Sequence, residues 1–376
     1  MPYRFIECHC FNIANTSTYF TNNIIAIIGV ITNKFFNNAN SIGYNSNRWI
    51  ILGNATSHST SIIYSDDGLA WFASPNSSSI FSTEGNDIIW NDTQWIAVGQ
   101  GTNTIAYSTT NGYDWIGLGT IMFSTKGNKI AWNGSRLVAV GEGTNSIIYS
   151  DDNGINWTSS ASGNSLLNIG LDIHWCSKLN KWLVVGEPTG GNTPNILASS
   201  SDGITWTATS HTLLDINTFK ALTISSNDDI IILGGEKLGS GTFTIIYSNN
   251  LIDWFAVTDS LTIFPVKCNK IVWDSEKFYG VGENTNTMAT SIIGTTWIIS
   301  NNPNISTNNI KDIFSYVKKT IINEEIKYEM DLLNIFYNFN ELDNYYHYFR
   351  RNRITDVPIL RDDFIYIINE LAYILE

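Results

Sequence analysis

Between residues 127 and 158 the apolar positions fall in short runs, Lys129 to Trp132, Leu137 to Val140 and Ile147 to Tyr149. They are parted by Asn-Gly-Ser, Gly-Glu-Gly-Thr-Asn and Asp-Asp-Asn-Gly. Short apolar runs bounded by turn residues predict strands. A fourth strand begins at Trp157, so the segment predicts four antiparallel strands, A to D in chain order. The same alternation returns before and after it, which makes the segment one copy of an internal repeat.

The turn from C to D carries the sharpest pattern, Ser150-Asp151-Asp152-Asn153-Gly154-Ile155-Asn156-Trp157, or S-x-D-x-G-x-x-W. Short Ser and Asp side chains accept backbone N–H bonds and stabilise a turn. Gly permits a positive φ, and Trp covers the hairpin with a large apolar face. One residue shorter, Ser65, Asp67, Gly68 and Trp71 repeat the box, as do Ser200, Asp202, Gly203 and Trp206. Thr110 takes the Asp slot in the second copy, the fifth loses its Gly, and the sixth has Ile292 in place of Asp. The closing tryptophans Trp71, Trp115, Trp157, Trp206, Trp254 and Trp297 stand 44, 42, 49, 48 and 43 residues apart. That is the length of a four-stranded propeller blade.

These residues resemble the Asp-box, or BNR repeat, known from sialidases and from many β-propellers without that activity. The resemblance covers residues 40–302 and implies an all-β, six-bladed propeller, with seven blades if the N-terminal strands contribute. Similar repeat proteins occur in large DNA viruses, which implies a virion-associated or cytoplasmic chain. The box residues are expected to be structural.

Outside the repeats, residues 1–39 form an extension with one or two strands, and Asn23 to Thr32 read as one buried strand. Residues 303–309 are a linker. From Ile310 onward apolar residues recur at three and four, as in Ile310, Ile313, Phe314, Val317 and Ile321, which predicts a helical segment to residue 376.

Composition narrows the function. With 21 basic and 34 acidic residues the net charge is −13, which argues against a nucleic-acid binder. No apolar run is long enough for a transmembrane helix, and no signal peptide is evident. The four cysteines are too scattered for a disulfide framework, and Cys176 and Cys268 read as buried thiols. Glu7-Cys8-His9-Cys10 lacks zinc-site spacing.

Each B strand ends in Gly and an acid or amide: Gly53-Asn54, Gly99-Gln100, Gly141-Glu142, Gly186-Glu187, Gly235-Glu236 and Gly282-Glu283. The B-to-C connections of a propeller share one face, so these side chains predict a ring. Gln100, Glu142, Glu187, Glu236 and Glu283 are candidates for a mouth that takes a ligand, a cation or a basic partner. Alternatively each acceptor holds its own loop through backbone N–H groups. The resemblance also implies three arginines gripping a carboxylate in a sialidase, but residues 40–302 contain only Arg48 and Arg136. The expected function is therefore a non-catalytic scaffold that offers a propeller face to a protein or glycan, without metal or cofactor. The helical segment would serve as a second contact. A glycoside hydrolase without a recognisable site is the alternative.

Overall fold

Each predicted repeat forms a four-stranded antiparallel meander. The computed structural model describes residues 3–6, 35–36, 39–55, 60–68, 70–190, 196–274, 276–283, 288–299 and 314–317. These belong to one unit of the chain, and a second unit, Tyr19–Thr21 with Ile321–Glu376, lies outside them. After β1 (Tyr3–Ile6), blade 1 holds β2 (Ala39–Tyr44), β3 (Trp49–Gly53), β4 (Ile62–Ser65) and β5 (Phe72–Ala73). Blade 2 holds β6 (Glu84–Trp90), β7 (Trp95–Gln100), β8 (Ile105–Ser108) and β9 (Ile116–Gly117). Blade 3 holds β10 (Lys126–Trp132), β11 (Leu137–Glu142), β12 (Ile147–Ser150) and β13 (Thr158–Ser159). Blade 4 holds β14 (Leu167–Cys176), β15 (Lys181–Pro188), β16 (Leu197–Ser200) and β17 (Thr207–Ala208). Blade 5 holds β18 (Phe219–Ser226), β19 (Ile231–Lys237), β20 (Ile245–Ser248) and β21 (Phe255–Ala256). Blade 6 holds β22 (Cys268–Trp273), β23 (Phe278–Gly282), β24 (Met288–Ser291) and β25 (Ile298–Ile299), and β26 (Phe314–Val317) follows.

The A strands stand side by side, β2 against β6, then β10, β14, β18 and β22 in turn. This is a β-propeller. B strands such as β11 are buried along their length up to the Gly, because A and C flank them in the sheet and neighbouring blades cover both faces. The two-residue D strands form the exposed outer edge. Apolar clusters span neighbouring blades. Ile96, Val98 and Ile105 of blade 2, for example, pack with Ile130, Leu137, Ile148 and Trp157 of blade 3. No blade buries its faces alone, so each stabilises the next. The Gly before each terminal acid has a steric cause, seen at Gly141. A Cβ there would fall on the Lys126 carbonyl oxygen and 2.8 Å from the Phe123 ring.

The A-strand aromatics do two jobs. Trp90, Trp175 and Trp273 pack at a tilt against the residue opposite in their own B strand, Trp95, Trp182 and Phe278, at 5.3, 5.0 and 4.5 Å between ring centroids. They also border clusters shared with the preceding blade. Cys176 and Cys268 are buried free thiols.

One expectation is corrected. Phe314–Val317 is a strand, not part of a helix, and pairs antiparallel with Tyr3–Ile6. Its three-and-four spacing is too short to fix a helix, while Phe, Tyr and Val favour a strand once a partner from the other end of the chain supplies hydrogen bonds. β26 lies against both β2 and β22. Asn23 to Thr32, the Glu7-Cys8-His9-Cys10 stretch and the remainder of 310–376 lie outside the described residues. Among the described residues, no helix is long and apolar enough to cross a membrane.

Candidate functional site

The end of the blades that carries the B-to-C connections can be called the rim face. There the predicted acids do not stand alone. Residues that begin A strands alternate with residues that end B strands in one line of contacts through the six blades among the described residues. Asn54 meets Glu84, which pairs with Gln100, then Lys126, Glu142, Ile169 and Glu187. The line runs on through Lys220, Glu236, Lys267 and Glu283. Lysines from A strands sit among the glutamates, with Lys220 2.5 Å from Glu187, Lys267 2.8 Å from Glu283 and Lys126 4.0 Å from Glu142. The B-to-C loops are held instead by hydroxyls of the preceding connection. Ser82 Oγ accepts from the Thr102 N–H and Ser124 Oγ from the Thr144 N–H, each at 3.0 Å.

Deeper along the A strands, every blade carries a β-bulge that skips one residue: Asn40, Asn86, Asn128, Leu171, Leu222 and Asn269. A bulge re-aims its side chain, and these six line a central cavity of about 220 Å³ with Lys129 and Lys270. The Asn40, Asn86 and Asn128 amides donate to the Gly85, Gly127 and Gly170 carbonyls of the next blade at 3.0, 2.8 and 2.7 Å.

The next A-strand position forms a second ring that sequence reading missed: Ser41, Asp87, Lys129, Asp172, Thr223 and Lys270. Asp87 accepts from Ser41 Oγ, Lys129 Nζ and the Ile130 N–H at 2.9, 3.3 and 3.0 Å. Asp172, only 2% exposed, accepts from the Ile224 N–H at 3.0 Å and from Lys270 Nζ at 3.1 Å. The signal was available as a polar or charged residue directly before an A-strand Ile in each repeat, as in Asp87-Ile88, Lys129-Ile130, Asp172-Ile173 and Lys270-Ile271. Beside this ring His174 Nε2 lies 2.8 Å from Ser226 Oγ. Burial pushes its pKa down to about 4 against the pull of Asp172, so the imidazole is neutral at pH 7. Among the described residues, no three His, Cys, Asp or Glu side chains converge to hold a metal.

The opposite end, the box face, bears the C-to-D boxes and the A-to-B turns. In box 3, Ser150 Oγ accepts from the Gly154 N–H at 2.9 Å and Asp152 from the Asn156 N–H at 2.8 Å. Gly154 has φ 85°, and its carbonyl accepts from Trp157 Nε1 at 2.9 Å. Boxes 1 and 4 repeat the Ser and Asp bonds with Ser65, Asp67 and Gly68, and with Ser200, Asp202 and Gly203. Trp71 donates to the Gly68 carbonyl, whereas the Trp206 and Trp254 indole N–H groups are buried without a partner. Burial would raise the Asp202 carboxyl, yet the Thr205 and Ile204 N–H groups and Ser200 hold it down to about 2. Asp152→Ala is expected to cost about 1–2 kcal/mol through the lost turn bonds, read as a shift in urea midpoint with the slope unchanged.

Both arginines are consumed here. Arg48 binds Asp66 through two bonds of 2.6 and 3.0 Å, lies 4.5 Å over the Tyr64 ring and donates to the Asn111 carbonyl of the next box. Arg136 repeats the arrangement with Asp151, Tyr149 and the Asp202 carbonyl. Each guanidinium thus joins its own blade to the next.

No family model matches this chain, and no curated protein matches it. Among solved structures it is similar to YCF48 from Cyanidioschyzon merolae, at 12% identity over 70% of this chain and 84% of that one, with a TM-score of 0.44. A structure of YCF48 bound to D1 peptide gives 12% identity, coverages of 70% and 81%, and a TM-score of 0.48. A nidogen/laminin complex gives 9% identity, coverages of 74% and 98%, and a TM-score of 0.49. These are likenesses of shape at low identity, and it is the strand topology that makes this chain a β-propeller.

Proposed function

We propose that the chain is a non-catalytic propeller scaffold of the Asp-box repeat kind that binds a protein partner at the outer edge of its box face. The observation that carries this reading is the edge formed by blades 5 and 6. Ile292 is 71% exposed, Ile293 59%, Ile298 70% and Phe255 51%. A box turn asks for polar residues, and Ile292 and Ile293 stand where the first box carries Asp66 and Asp67. Exposed apolar surface of this sort stabilises a complex when a partner removes it from water. By contrast, Glu142, Glu187 and Glu283 are paired with lysines and both arginines are engaged in joining blades.

The test is selection of peptides from a random display library on the purified chain. Peptides that bind it and weaken at least about tenfold on Ile292→Ser/Ile293→Ser/Phe255→Ser support the reading, a loss of about 1.4 kcal/mol. Equal binding to the variant would sink it.

Glycan binding is the second reading, favoured by one cluster. The Tyr64 ring lies 5.8 Å from Phe72 and 5.9 Å from Tyr113, and the latter two are exposed. A glycan array run beside a hydrolysis assay on the same sugars decides it. Turnover would overturn the non-catalytic assignment.

A further inference from the structure

The box-face groove between one blade and the next is filled in most repeats by the Tyr that ends Ile-Ile-Tyr or Ile-Ala-Tyr in strand C: Tyr64, Tyr107, Tyr149 and Tyr247. In blades 1 and 3 an arginine from the A-to-B turn lies over that ring and pairs with the acid after the box Ser. Blade 4 lacks all three parts. Ser199 replaces the Tyr, Lys181 the Arg, and Ser201 the pairing Asp. The place the ring would occupy is open, and between blades 4 and 5 lies a pocket of about 430 Å³ lined by Lys181, Ser199, Thr209, Ser210, Leu179 and Leu251, among others.

We infer that this pocket is a binding site for a carboxylate carrying an apolar body, a site that rests on the binding-scaffold reading and adds a ligand class to it. Its volume falls in the range of small-ligand sites, roughly 300–1,000 Å³. Among the described residues, Lys181 has no ion pair or side-chain hydrogen bond, and the hydroxyls of Ser199, Thr209 and Ser210 have none either. One ammonium with three free hydroxyls matches a single negative charge, whereas a phosphate favours several cations or an Arg fork. Leu179 and Leu251 supply the apolar wall. A second sign of specialisation marks the same two blades. Their boxes hold the two unbonded indoles, Trp206 and Trp254, and in blade 5 Leu251 takes the Gly position at φ 65°.

The probe is N-acetyl-leucine, titrated into the full chain and followed by amide NMR shifts, with N-acetyl-leucinamide and inorganic phosphate as controls. The acid is expected to shift residues around Lys181, with the amide and phosphate silent. Lys181→Gln should weaken binding by about tenfold, the weight of one charge-assisted bond. Ser199→Tyr, which introduces the side chain used in blades 1, 2, 3 and 5, should abolish binding while leaving the melting temperature unchanged. A short peptide ending in leucine that binds more tightly than N-acetyl-leucine places the carboxylate on a polypeptide, and equal affinity places it on a small molecule. Either result sustains the site. Equal binding of acid and amide, equal binding of phosphate, or undiminished binding by Ser199→Tyr overturns it. Peptides selected at the blade 5 and 6 edge should bind Ser199→Tyr normally, so failure of the pocket is distinguishable from failure of the scaffold reading.

Discussion

Asp172→Ala is expected to be among the most damaging single changes in the propeller, costing about 3–5 kcal/mol, because it leaves the partly buried Lys270 ammonium and the Ile224 N–H without their partner. Asp172 in blade 4 accepts from the backbone of blade 5 and from Lys270 of blade 6, so one carboxylate holds three blades together. Replacing both charges, as in Asp172→Leu/Lys270→Met, should recover most of the loss, since a well-packed apolar pair can match a buried ion pair. Urea denaturation of the two variants checks this. A loss below about 1 kcal/mol for the single variant would mean that the inner ring contributes no more than a surface pair. The pH dependence follows. Burial pushes the Asp172 carboxyl up, but Lys270, then Lys129 and the Ile224 N–H, hold it below its ordinary value. A depressed carboxyl contributes its full stability above its unfolded value, about pH 4. That contribution fades as pH falls further through the folded value. Asp202, held down to about 2, acts in the same direction between about pH 4 and 2. The propeller should therefore lose stability on acidification below about pH 4, and Asp172→Ala should flatten that slope.

Trp157→Ala is expected to cost about 3–5 kcal/mol, the range for removing a buried aromatic. The ring is 7% exposed and belongs to the cluster that joins blades 2 and 3. The loss should extend to the protection of blade 2 amides from hydrogen exchange, because neighbouring repeats stabilise one another. Phenylalanine separates packing from hydrogen bonding. Trp157→Phe gives up the bond to the Gly154 carbonyl and should cost about 1 kcal/mol beyond the packing change. Trp206→Phe and Trp254→Phe remove indole N–H groups that have no partner, so they should cost the packing change alone or less. If all three Phe variants lose the same amount, the unbonded donors carry no penalty.

The repeat, its four strands and the box turns were legible in the sequence because their causes are local. Ser150, Asp152, Gly154 and Trp157 bond to one another within one turn, and a Gly before Glu142 answers to Lys126 and Phe123 of its own repeat. Such contacts recur at a fixed period and can be aligned on the page. The strand Phe314–Val317 was not legible, since its partner Tyr3–Ile6 stands more than 300 residues earlier in the chain. The charge pattern was only half legible. Aligning the ends of B strands showed glutamates, but Lys220 reaches Glu187 from the neighbouring blade, and Lys270 meets Asp172 across 98 residues. The open pocket beside Lys181 is likewise the absence of a Tyr, and an absence acquires meaning only when the next blade supplies the opposite wall. A blade is made of near neighbours in the chain, so its strands and turns could be read from the order of residues alone. Which charges are neutralised and which stay free depends on partners that meet only after the blades have packed.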